Sequence, residues 1–204
     1  MEMAKAVLIS IRPEWVEKIA NEIKTVEVRK TKPYLETPFK CYIYCTNKRP
    51  FLVWGDVFRG DWVTEFTRLL GYGRAEADRT WNVFNGYAVG EFVCDRITPL
   101  FNVCTDNWHH LAGDVHEWHK ELIKRACLTD AELKAYAKGQ NCFAWHISDL
   151  KIYDTPKPLS AFKGLCKIDV GCGECPYYNY TKMDCDGRTI KRPPQSWCYV
   201  EELK

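Results

Sequence analysis

The sequence predicts an α+β protein: a small mixed β-barrel with flanking helices and a cysteine-rich C-terminal appendage. Three observations carry this. Five or six short runs rich in β-branched and aromatic residues alternate with two or three helical stretches, and closing so short a sheet removes its edges. Of 204 residues, 46% are apolar, which suits one substantial core with a small extension better than two large domains. Residues 166–204 concentrate five of the eleven cysteines. The expected division is therefore 1–165 for the barrel, with an insertion at about 46–86, and 166–204 for the tail.

Val7–Ile11 reads as the first strand, and Arg12-Pro13-Glu14-Trp15 as the turn into a helix. Proline suits the first helical turn, and Glu14 the positive end of the helix dipole. Trp15, Ile19 and Ile23, each four residues from the next, predict an apolar stripe. Thr25-Val-Glu-Val-Arg29 alternates polar with apolar, a strand that places Thr25, Glu27 and Arg29 on one face. Phe39–Cys45 is the next strand, with Tyr42, Ile43 and Tyr44 favouring β-structure.

Residues 46–86 break this rhythm with scattered glycines, with Trp54, Trp62 and Trp81, and with a short helix candidate at 62–70. Tyr87–Cys94 is a strand and Trp118–Arg125 a helix. Thr129 and Glu132 form a capping-box pattern for a further helix that stops at Gly139. Cys142–Ile147 and Leu150–Tyr153 are strand segments. There is no internal repeat and no glycine-rich phosphate loop.

The formal charge of +2 is unevenly distributed. Residues 1–50 hold ten Lys/Arg against six Asp/Glu, 51–165 are net −2, and 166–204 balance. An anion site is expected to be local and N-terminal. No leader-like opening and no apolar run near the roughly 18 residues of a membrane span are evident, so a cytoplasmic protein without membrane contact is expected. Six cysteines spread through the body (Cys41, Cys45, Cys94, Cys104, Cys127, Cys142) and an odd total fit a reducing compartment.

The segment Lys24-Thr-Val-Glu27-Val-Arg29-Lys30 brings an ammonium, a carboxylate and a guanidinium together at a helix-to-strand junction. Glu27 and Arg29, two apart on a strand, project the same way. They fit a surface ion pair, an anion site, or a donor and acceptor array for a base. Ser10 and Arg12 leave the first strand beside Lys24, while Trp15 or Trp145 offers a stacking face and His146 a polar group towards solvent or ligand.

Together, Lys5-Ala-Val-Leu-Ile-Ser-Ile-Arg12-Pro13-Glu14-Trp15, the run Ile19 to Lys30, Val89–Cys94 and Trp145–Ile152 resemble the ASCH domain family of PUA-like β-barrels. That family's opening is a short helix, a Gly-x-Lys-like turn and a strand reading Glu-x-Arg. The resemblance implies a PUA-like barrel with a cleft associated with RNA binding; the residues themselves offer Ser10, Arg12, Trp15, Lys24, Glu27, Arg29, Trp145 and His146 as the set that would bind RNA or a nucleotide-like ligand there. A bacterial branch of the family removes acyl groups from modified cytidines with a lysine, a threonine and a glutamate. The lysine corresponds to Lys24, but the threonine position falls on Glu27, so that triad is not intact. A hydrolase acting on RNA or an acylated nucleoside through Lys24 and Glu27 is therefore the alternative to binding, and a protein-binding adaptor a further one.

In the tail, Cys172-Gly173-Glu174-Cys175 has the spacing of a metal knuckle, with Cys185 and Cys198 completing a four-cysteine set and Cys166 as an alternate. A structural zinc would supply folding energy that so short a segment cannot draw from a core. An iron–sulfur cluster and free or disulfide-forming thiols are the alternatives. His109, His110, His116 and His119 resemble metal spacing only superficially, because no further ligand convincingly completes them.

Overall fold

The computed structural model describes residues 4–48, 51–54, 62–65, 83–100, 113–165, 178–179, 181, 184–185 and 188–203. The first half follows the local patterns closely. β1 (Lys5–Ile11) leads into α1 (Pro13–Ala20), then β2 (Val26–Arg29) and β3 (Phe39–Cys45). A two-stranded ribbon, β4 (Phe51–Trp54) with β5 (Trp62–Glu65), comes next, so the start of the 62–70 helix candidate is a strand. Long strands β6 (Ala88–Leu100) and β7 (Cys142–Lys157) flank α2 (Gly113–Arg125) and α3 (Asp130–Ala137). A short pair, β8 (Tyr178–Asn179) and β9 (Asp184–Cys185), precedes β10 (Trp197–Glu201).

Six strands form the main sheet in the order β10-β1-β3-β6-β7-β2, with β1 and β3 parallel and the other pairs antiparallel. The expected closed barrel is corrected here. The order runs from β10 to β2 without returning, so the sheet is open and these two strands are its edges. The pairing of β6 with β7 is irregular, its register shifting three times. At one of these irregular places Gly90 is required: a Cβ there would lie 2.5 Å from the Lys151 carbonyl oxygen.

The central strands are buried on both faces. In β1, Val7, Ile9 and Ile11 join one cluster with Val16, Ile19, Phe92 and Trp145, while Ala6 and Leu8 join another with Tyr42, Phe162 and Val200. This explains why Val7–Ile11 is almost continuously apolar and not alternating. A third cluster places Val26, Val28 and Ala144 under Leu122, Ile123, Leu133 and Ala137 of α2 and α3. The α3 capping box forms as its sequence predicts, with Thr129 and Glu132 bonding reciprocally.

Two local expectations shift. The buried residues of α1 are Pro13, Val16 and Ile19, because the helix ends at Ala20 and leaves Ile23 exposed beyond it. Part of the 46–86 stretch belongs to the core: Leu52 is fully buried, and Asn85 accepts from its backbone N–H at 2.7 Å. The chain's last strand is also integral to the sheet. Trp197 of β10 packs 6.0 Å from Trp145, and its Nε1 donates to Thr31 Oγ1 at 2.9 Å. Among the described residues, no helix is long and apolar enough to cross a membrane.

Candidate functional site

The site begins where α1 stops. Glu22 adopts φ 59°, Ile23 N donates to Lys18 O at 2.8 Å, and Glu22 N donates to Ile19 O at 2.9 Å. This is a Schellman turn with glutamate where glycine is usual. It reverses the chain and delivers Lys24 into the interior, 3% exposed. Helix α2 ends in the same way, with Cys127 at φ 55° and Leu128 N donating to Ile123 O at 3.1 Å. The Ala126 carbonyl, left at that helix's negative end, accepts from Lys24 Nζ at 2.7 Å. Thr25 N donates to Arg125 O at 3.0 Å, which fixes the two helix ends to one another.

Lys24 Nζ also lies 3.3 Å from Glu27 Oε2, and the other carboxylate oxygen lies 2.9 Å from an Arg29 nitrogen. Alternation along β2 produces this: Val26 and Val28 enter the core under the helices, and Glu27 and Arg29 take the other face. Arg29 further donates to Ser10 O at 2.7 Å and approaches Ser196 Oγ at 3.4 Å, while its Nε is buried without a partner. Ser10 Oγ donates to Pro194 O at 2.7 Å, and Ser10 N to Ser196 O at 2.9 Å. At the seam where a barrel would have closed, side chains of edge strand β2 thus reach β1 and the segment entering β10. The backbone ladder is absent there, and a cavity takes its place.

This cavity has a volume of about 720 Å³. Lys24, Glu27 and Arg29 line it together with Ser10, Arg12 and Trp15, so six of the eight expected ligand residues share one space. Thr46, Asn47 and Lys48 contribute after β3, Leu128, Glu132 and Tyr136 from the α2–α3 side, and Pro193–Ser196 from the final segment. Arg12 and Lys48 are exposed, whereas the central three charges are buried. The lining carries four cations and two carboxylates set among apolar and aromatic side chains, and this excess of positive charge suits an anion. Glu132 is held by the α3 cap, where bonds from Thr129 lower its carboxyl pKa. Burial raises the Tyr136 hydroxyl, with Arg29 pulling it down and Glu27 pushing it up.

Trp145 and His146 do not line this space. Trp145 is fully buried between Phe39 and Trp197. His146 lies on the opposite face, beside Ala144 in the layer covered by α2 and α3. Its Nε2 is 2.9 Å from Thr98 Oγ1 and its Nδ1 3.3 Å from an Arg96 nitrogen. Arg96 can only donate, so Nδ1 accepts and the ring proton sits on Nε2. Burial foremost, then the Arg96 and Arg125 guanidiniums, pull the His146 pKa down to about 4.

Of the residues that sequence reasoning missed, Glu132 and Tyr136 had a usable signal. They are one turn apart on the helix that the capping box announces, hence on one face. Pro193–Ser196 lie directly before Trp197-Cys-Tyr-Val-Glu201, whose composition is that of a strand.

The zinc expectation is corrected. Among the described residues no group of three or more His, Cys, Asp or Glu is placed to hold a metal ion. Cys198 is a free, half-buried thiol of β10, opposite Leu8 and packed with the Val200 cluster, and burial raises its pKa. It belongs to the sheet because alternate residues of β10 must fill the core that β1 presents. Cys166, Cys172 and Cys175 lie outside the described residues, as does the side chain of Cys185.

No family model matches the sequence, and no curated protein matches it. The fold is similar to that of solved structures. An ASCH protein from Zymomonas mobilis superposes with a TM-score of 0.51 at 16% identity, covering 97% of this chain and 88% of that one. A Tyr-to-Phe variant of the same bacterial protein gives 0.51 at 16% over 97% and 91% of the two chains. A Ser-to-Ala variant gives 0.50 at 16% over 99% and 92%. At this identity the likeness establishes a shared fold.

Proposed function

We propose that this chain binds RNA or a nucleotide-like ligand in the seam cavity. One observation carries the reading: two buried cations share a single carboxylate, so an unbalanced positive charge is held in the wall of a cavity of about 720 Å³. That charge is fixed by Ala126 O, Ser10 O and Glu27, and it needs no reorganisation when an anion arrives. The volume falls within the range of about 300–1,000 Å³ typical of small-molecule sites. Exposed Arg12 and Lys48 suit phosphate, and the aromatic lining suits a base. The sequence resemblance around Lys24, Glu27 and Arg29 and the ASCH-like fold support the same reading.

The test is fluorescence polarisation with a labelled single-stranded RNA octamer across a salt series. Binding should weaken as salt rises, because neutralised phosphates release counterions. Replacing both Arg12 and Lys48 by serine should shrink the log–log salt slope by about 1.4, that is, about 0.7 for each phosphate no longer neutralised. No binding at low salt would overturn the reading. The 3.3 Å approach of Lys24 to Glu27 favours a second reading, hydrolysis through that pair. It is checked in the same tubes, as shortened RNA on a gel or as acyl loss from an acylated nucleoside.

A further inference from the structure

Aromatic rings in a nucleotide site are useful only where a face is available. Trp15, the ring that its sequence position favours, already carries two ammonium groups: Lys18 Nζ lies 4.8 Å and Lys24 Nζ 5.2 Å from its centroid. Lys24 is buried and tied to Ala126 O and Glu27, so a base arriving on Trp15 must compete with a cation that has nowhere to go. Tyr136 differs. It is 40% exposed, and of the exposed large apolar side chains among the described residues only Tyr136 lines the cavity. Lys30 Nζ lies 5.5 Å from its ring centroid, a single cation on a long flexible stem.

The ring is also well placed mechanically. It stands on α3, whose first turn is locked by the Thr129–Glu132 cap and whose Leu133 and Ala137 are fully buried. A tyrosine on such a helix has few rotamers to lose on binding. Glu27 and Arg29 line the same cavity as the ring. A base against this ring therefore lies within reach of hydrogen-bonding groups.

We propose that Tyr136 is the platform on which one unpaired base of the ligand stacks, and that Trp15 instead serves to hold Lys18 and Lys24. This rests on the nucleotide-binding reading and narrows it to ligands presenting a free planar base, which excludes an intact duplex as the recognised form. The role is specificity-determining: phosphate contacts supply attraction, and Tyr136 distinguishes a nucleotide from a bare sugar phosphate.

The experiment compares two single-stranded hexamers, one of uridylate and one with abasic tetrahydrofuran units on the same phosphate backbone, on the full chain. The wild type should bind the base-containing strand at least about tenfold more tightly, the scale of one base–aromatic stack. Tyr136→Leu should collapse that ratio to near unity, while Tyr136→Phe, which keeps the ring, should preserve it. Thermal melting of both variants confirms folding, and the Phe variant tests the ring even if the Leu variant does not fold. A ratio that survives in Tyr136→Leu, or that collapses in Trp15→Leu and not in Tyr136→Leu, would overturn the proposal. Equal binding of both hexamers by the wild type would overturn it too while leaving the phosphate-binding reading standing. Binding of neither strand would remove the underlying reading itself.

Discussion

Two buried polar clusters sit on neighbouring strands, and they differ in kind. Glu27 of β2 is opposite Trp145 in register, and the next pair, Val26 with His146, faces the other way. On the first face Lys24, Glu27 and Arg29 keep three charges beside a cavity. On the second, His146 is buried beside Thr98 and Arg96 and held neutral by burial and two guanidiniums. Both are polar groups paired in the interior, apart from Arg29 Nε, and the sequence alone makes both plausible site residues. On the proposed reading the charged side chains at the open seam serve binding, whereas the neutral imidazole on the other face serves structure.

The largest test of this contrast is Glu27→Gln. It keeps the shape but leaves the Lys24 ammonium and Arg29 guanidinium buried with no carboxylate, and should destabilise the fold by about 3–5 kcal/mol in denaturant unfolding. A loss below about 1 kcal/mol would mean that these charges are not desolvated as their burial indicates. On the structural side, Thr98→Val takes the acceptor from His146 Nε2–H and should cost about 1–3 kcal/mol. RNA affinity of the folded variant should stay unchanged. A tenfold fall in affinity would break the distinction and bring His146 into the site.

Protons separate the clusters more gently. In the fold His146 titrates at about 4, but in the unfolded chain near the ordinary value of 6.5. Between these pH values the unfolded chain binds a proton that the native state refuses, so its contribution to stability is full above about 6.5 and is lost as pH falls towards 4. Replacing His146 by glutamine should flatten the pH dependence of the melting temperature in that window. An identical profile in the variant would show that other groups carry it.

What is legible in the sequence is local. The β1–α1–β2 order, the cap at Thr129 and the shared face of Glu27 and Arg29 follow from spacings of two to four residues, which backbone geometry translates directly. Sheet closure is not local: whether β10 meets β2 depends on geometry accumulated across six strands and on register shifts between β6 and β7, which a glycine within a strand, Gly90, signals without saying how they turn the sheet. The same limit hides the face of His146, since alternation gives opposite sides of a strand but not which side α2 will cover. The tail misleads for another reason. Cysteine spacing draws attention to metal, while Trp197, Tyr199 and Val200 already have the content of a strand that could complete the sheet.

The smallest predicted effect concerns how the site is reached. Glu22 occupies the left-handed turn that aims Lys24 inward, a conformation that costs a side chain with a Cβ about 1 kcal/mol or more. Glycine there removes the steric strain but adds freedom to the unfolded chain, so Glu22→Gly should stabilise the protein by no more than about 1 kcal/mol. Because Ile23 N and Lys24 N both bond to Lys18 O, the turn's path is already determined by the helix end. Affinity should then be indifferent to the substitution. If Glu22→Gly instead weakens RNA binding with stability raised, the turn must rely on the glutamate to keep Lys24 at the seam. The positive wall of the cavity would then be set by that residue and not by the backbone alone.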